Sequence, residues 1–232
     1  MPKNKTNKLD TKLALILAAE KLFTELGING PSEREINKMA NQRNQAAMKY
    51  HFGSREAIVK AILEYRTTPL NDARLAMIDA KIARSPNGHL DIRDVAESLV
   101  EPLANYALLQ NSESYYARFL GRLIANREMF KAVSNTETDK GLVLCLDEYA
   151  RLKQGWPREI IRSRFSLCLN LLITTMAMLE DIKFQKGARF EESLAKLRIT
   201  NLIDSITNVL DAPISSHTFS HIEAIDTRKS QG

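Results

Sequence analysis

The chain has 232 residues, 44% of them apolar and 26% charged, with only 9 Gly and 7 Pro, which excludes a loop-rich β protein. Net charge is +5, and residues 1–66 hold 12 Lys/Arg against 7 Asp/Glu, so the whole excess lies at the N-terminus. A basic N-terminal module points to a polyanion, nucleic acid before an anionic membrane; the plain alternative is a solvated basic surface.

Cys145 and Cys168 have neither metal-ligand nor disulfide spacing. Both lie in apolar helical contexts and read as buried free thiols, which suits a reducing cytoplasm. The N-terminal apolar run Leu13–Ala19 is short and continues through Glu20 and Lys21 into Leu22 and Phe23. It reads as an amphipathic helix, not an export signal. The richest apolar stretch, Leu167–Leu179, contains Asn170, Thr174 and Thr175 and is too short to span a bilayer, so no membrane partner is expected.

Apolar residues recur every three or four positions, which predicts an all-α chain. The first helix is expected over Leu9–Leu26, with Leu13, Ile16, Leu17, Leu22, Phe23 and Leu26 as its buried stripe and Gly27 as its stop. A second starts at Ser32, where Ser32 and Glu35 fit a capping box, and ends near Ala40. After the turn at NQRN, with Asn44 able to cap, a two-turn helix covers Gln45–Phe52. Gly53 breaks it and Ser54 caps the next helix. Two short helices joined by a tight turn are a helix-turn-helix.

Beyond residue 66 the pattern predicts longer helices. Pro69 is expected to kink or break the continuation of the fourth helix. Asp91 caps a helix to about Gln110, and further helices cover Tyr115–Arg127, Thr138–Lys153, Arg158–Asp181 and Phe190–Leu210. Periodicity is lost after Pro213, so 213–232 reads as a disordered tail. His217 and His221 have the spacing of a helical metal pair but no third ligand, so no metal and no cofactor is expected.

The third helix, NQAAMKYHF, has the character of a groove reader. Ala46 and Ala47 keep it slim, and Gln45 and Lys49, four apart, share a face. Gln can pair with adenine, and Lys can reach guanine acceptors. Arg43 and Asn44 stand at the leading end. Tyr50 and His51, with Ser32, Arg55 and Lys60, are candidates for phosphate contacts.

The segments AAEKLFTELGI, PSEREINKMA and YHFGSREAIVKAI together resemble the DNA-binding domain of the tetracycline-repressor (TetR) family of bacterial regulators. YHFGSRE is the most specific part, and the resemblance spans about residues 9–65. One departure is Ala40-Asn41-Gln42-Arg43-Asn44, where the family usually has Ala-Gly-Val-Ser. The segment is one residue longer, which leaves open which of Arg43, Asn44 and Gln45 face bases.

The resemblance implies a helix-turn-helix DNA-binding domain over 1–66 and a helical effector-binding and dimerisation domain over 67–212. It implies a homodimer paired through the last two long helices, with recognition helices about one DNA turn apart (~34 Å) on a near-palindromic double-stranded operator. It also implies a repressor that a small-molecule effector releases from DNA by shifting the fourth helix. Tyr106, Tyr115, Phe119, Phe165 and Met176, with Arg122 and Asn170 as polar groups, are the candidate lining of a largely apolar effector pocket. Plain core is the bland reading of the same residues. The competing class is an enzyme or small-molecule carrier whose basic N-terminus is incidental, but no nucleophile elbow, phosphate loop or HExxH motif supports it.

Overall fold

The computed structural model describes residues 3–109, 114–133 and 140–229; among them lie eleven α-helices and no strand. The first four are α1 (Lys3–Leu26), α2 (Glu33–Met39), α3 (Ala47–Phe52) and α4 (Arg55–Arg84). Then come α5 (Ile92–Ala104), a π-turn (Asn105–Leu109), α6 (Tyr116–Ala125) and α7 (Arg127–Val133). The chain ends with α8 (Lys140–Leu152), α9 (Arg158–Lys186), α10 (Glu192–Asp211) and α11 (Ser216–Lys229). Residues 1–2, 110–113, 134–139 and 230–232 lie outside the described residues, and with them most of the expected turn NSES and the expected start at Thr138.

Helix α1 faces its neighbours differently from the expected stripe. Leu15, Ile16, Ala18, Ala19, Leu22 and Phe23 are buried, whereas Leu13, Leu17 and Leu26 are exposed. The helix packs on α2, α4 and α6, and Leu15, Ala19 and Phe23, spaced by four, set the inward face. Glu20, a charge inside that face, is also fully buried, because Arg66 of α4 meets it.

Pro69 does not break α4, which runs unbroken from Arg55 to Arg84. A proline costs a helix one hydrogen bond and a local clash. Here a long inward row, Ile58, Ile62, Arg66, Leu70, Arg74 and Ile78, holds both flanks against the core. The helix crosses the expected boundary at residue 66, and one contiguous apolar core continues from α1–α4 into α5–α10. In the second layer α5 packs on α4, α8 and α10, and α9 packs on α6 and α10.

Two further expectations are corrected. Helix α9 contains an 18-residue window of mean hydropathy 1.5, so by length and composition it is able to cross a membrane, contrary to the reading of Leu167–Leu179. A third of that window is buried inside the protein. Within the segment read as a disordered tail, Ser216–Lys229 is helical. The Ser215 hydroxyl accepts from Thr218 N (3.2 Å) and starts α11. His217 and His221 face each other edge-on there, ring centroids 4.8 Å apart.

Candidate nucleic-acid interface

Helices α2 and α3 with their turn form a self-contained unit. Ser32 caps α2 as expected: its hydroxyl accepts from Glu35 N (3.3 Å) and donates to Glu35 Oε2 (2.7 Å), and Ser32 N donates to the same oxygen (2.7 Å). These bonds hold the Glu35 carboxyl below the usual carboxylate range. The Ser32 hydroxyl is therefore already occupied by the cap.

The turn leaves α2 through Asn41, whose φ of 52° is left-handed. Asparagine tolerates this region better than most residues, so Asn41 serves where the family pattern has Gly. Asn41 N donates to Lys38 O (3.1 Å) and Gln42 N to Asn37 O (2.9 Å). Helix α3 begins at Ala47, two residues later than expected, so Gln45 belongs to the approaching turn, not to the helix. Asn44 Oδ1 accepts from Ala46 N (3.0 Å) within the turn; the N-cap position of α3 is Ala46, which makes no side-chain cap bond, so Asn44 does not cap the helix as expected.

Asn37, which sequence reasoning did not single out, braces the turn and the start of α3. It is 1% exposed. Its Nδ2 donates to Gln45 O (2.5 Å) and its Oδ1 accepts from Met48 N (2.9 Å). Ala47 and Met48 pack inward, while Arg43, Asn44, Gln45, Lys49 and Tyr50 are exposed, Tyr50 at 71%. The Tyr50 ring stands edge-on to His51, centroids 5.1 Å apart. Gly53, at φ 76°, ends α3, and Ser54 caps α4 by accepting from Ala57 N (3.1 Å).

Arg55 departs from its expected role as a phosphate ligand. Its Nη1 donates to Ile28 O (2.8 Å), its Nη2 donates to Pro31 O (2.7 Å), and its guanidinium lies 5.6 Å from the Phe23 ring. It ties α4 to the α1–α2 turn instead. Lys60 is exposed on α4.

A second polar cluster joins α1 to the layer above. Arg66 Nε donates to Glu20 Oε1 (2.9 Å), its Nη2 to Glu20 Oε2 (2.5 Å) and its Nη1 to the Tyr106 hydroxyl. Burial pushes the Glu20 carboxyl above its ordinary range, against the pull of the Arg66 bonds. Thr24 Oγ1 donates to Tyr115 O (3.2 Å), and Arg122 Nε donates to Thr24 O (3.2 Å). The only sequence signal of this cluster is a glutamate inside the apolar face of α1.

The expected pocket lining separates in space. Phe119 is fully buried between Phe23 (6.4 Å) and Tyr116 (6.3 Å), and Tyr115 is buried beside Lys21, Arg118 and Phe184. With Tyr106 they form an aromatic layer between α1, the π-turn and α6. Phe165 and Met176 are buried on α9 but about 16 Å apart along its axis, too far to serve one small contact point together. Asn170 faces outward beside Leu167 and Leu171, and Arg122 is exposed, so neither is a polar group of an enclosed core pocket.

No protein-family model and no curated protein matches the sequence. Solved structures do. A chain from Mesorhizobium loti assigned to the TetR family of transcriptional regulators superimposes with a TM-score of 0.51 at 14% identity, over 87% of this chain and 97% of that one. A transcriptional regulator from Rhodococcus sp. Rha1 gives 0.48 at 18% identity, over 84% and 95%. A Clostridium perfringens chain assigned to fatty acid metabolism regulation gives 0.46 at 19%, over 88% and 100%. The architecture is the all-α fold of the TetR-type regulators, a helix-turn-helix module joined to a larger helical body.

Proposed function

We propose that the protein is a sequence-specific DNA-binding transcriptional regulator, a homodimeric repressor released from a near-palindromic operator by a small, largely apolar effector. The observation that carries this reading is the α2–turn–α3 unit. The turn's peptide groups and the start of α3 are bonded internally through Asn37, Asn41 and Asn44, while a polar face is left outward. A slim, braced helix with exposed Lys49 and Tyr50, led by exposed Gln45 in the turn before it, suits the major groove.

In this reading residues 1–66 bind DNA and 67–212 pair the chains and hold the effector. Exposed apolar side chains on α9 (Leu167, Leu171, Met178) and α10 (Leu197) support a seam between two copies along these helices. The aromatic layer of Tyr106, Tyr115 and Phe119 supports an effector that works between α6 and α1.

The test is fluorescence anisotropy on the DNA upstream of the protein's own gene and on sites selected from random duplex, with competitor DNA and varied salt. Tight binding at two chains per site, lost in the Gln45→Ala/Lys49→Ala double variant with an unchanged melting profile, is the expected result. Weak, steeply salt-dependent binding to every duplex alike would overturn the reading in favour of a ligand-carrying helical protein.

A further inference from the structure

An open groove of about 630 Å³ runs between α1, α4 and the π-turn. Its volume is that of a drug-sized ligand site. Leu13 and Ile16 of α1, Tyr65 and Pro69 of α4, and Tyr106 of the π-turn supply apolar and aromatic surface. Leu13 and Tyr65 stay 37% and 40% exposed, so part of this apolar surface is open to solvent. The π-turn follows α5 directly and carries Tyr106 to the groove.

The charges around the groove are unequal. Asp10 and Glu64 both line it, and among the described residues neither carboxylate is ion-paired. Lys12 is the one lining cation, and its ammonium lies 5.7 Å from the Phe52 ring. Below, the Arg66 guanidinium sits 5.1 Å from the Tyr65 ring and 5.6 Å from the Tyr106 ring, with its charge matched by buried Glu20. Aromatic faces plus an acidic rim attract a cation that carries apolar bulk. An anion of the same shape meets two carboxylates against the single Lys12 ammonium.

We infer that this groove binds a lipophilic monocation. An occupant there touches α1, α4 and the π-turn at once, beside the Glu20–Arg66–Tyr106 link between the two layers. The binding claim stands on the groove alone; only its effect on DNA rests on the regulator reading above.

Isothermal titration calorimetry of the intact protein with tetraphenylphosphonium, and with the isosteric anion tetraphenylborate, tests it. One tetraphenylphosphonium per chain is expected, with the anion at least about tenfold weaker. The Asp10→Asn/Glu64→Gln double variant, both sites exposed, should lose about tenfold for the cation with an unchanged circular dichroism spectrum. Equal affinity for the two ions, no uptake, or an unaffected double variant would overturn the proposal. Uptake that appears only when the dimer is diluted apart would assign the groove to a second copy and overturn it too. Adding tetraphenylphosphonium to the protein–DNA complex is a separate arm: failure to release DNA counts against the effector-released repressor, while charge-selective binding still upholds the groove.

Discussion

Asn37 and the Glu20–Arg66 pair are the two places where a single side chain holds much of the architecture. Truncating Asn37 leaves Gln45 O and Met48 N without their partner. The Asn37→Ala variant should lose about 1–3 kcal/mol in urea denaturation, and a larger share of its DNA affinity than of its stability. If DNA affinity survives intact, Asn37 does not set the pose of α3. Removing one member of the buried pair strands a charge. Arg66→Met alone should cost about 3–5 kcal/mol, whereas Glu20→Met/Arg66→Met should recover much of the loss. A double variant no better than the single would show that the pair adds net stability instead of offsetting its own desolvation. These residues were hardly legible in the chain, because a glutamate and an arginine 46 positions apart announce nothing until α1 and α4 pack together.

Helix α2 has seven residues and is too short to persist alone, so its cap matters. Ser32→Ala should lower stability by about 1 kcal/mol by chemical denaturation. The Glu35 half of the cap has a pH signature. Its carboxyl is depressed in the fold, so its contribution is complete above the unfolded value near 4.5 and is lost as pH falls through the lower folded value. The stability gap between the wild type and Glu35→Gln should therefore be constant from neutral pH down to about 4.5 and then close. A gap that persists below that range would place the effect outside the carboxylate. This cap was readable from Ser32 and Glu35 alone, because both partners lie within one turn. The start of α3 was not, since Asn37 reaches across from α2 and holds Gln45 outside the helix. The unbroken course of α4 through Pro69 was also not readable, because local propensity opposes it and only packing on both flanks outweighs it.

At the scale of the whole molecule, α9 carries the ambiguity between membrane span, core helix and subunit seam. Its inward face packs on α6 and α10, and Leu167 and Leu171 point away from that core. In the proposed dimer, Leu171→Glu should give monomers in analytical ultracentrifugation while the far-ultraviolet spectrum holds, and should weaken binding to the proposed operator by removing the second half-site contact. A dimer that tolerates the charge would move the seam off α9.

By itself the sequence determined the helical class, the helix-turn-helix near the N-terminus and the caps at Ser32, Ser54 and Asp91. All of these depend on contacts within a few residues, or on a period that one helix displays alone. Only the tertiary structure decided which face of α1 is buried, that Arg55 staples a turn, that Asn170 lies outside, and that Asp10 and Glu64 share a groove with Tyr65 and Tyr106. Those facts depend on which helices meet and at what rotation. That follows from the packing of side chains far apart in the chain, and no local pattern encodes it.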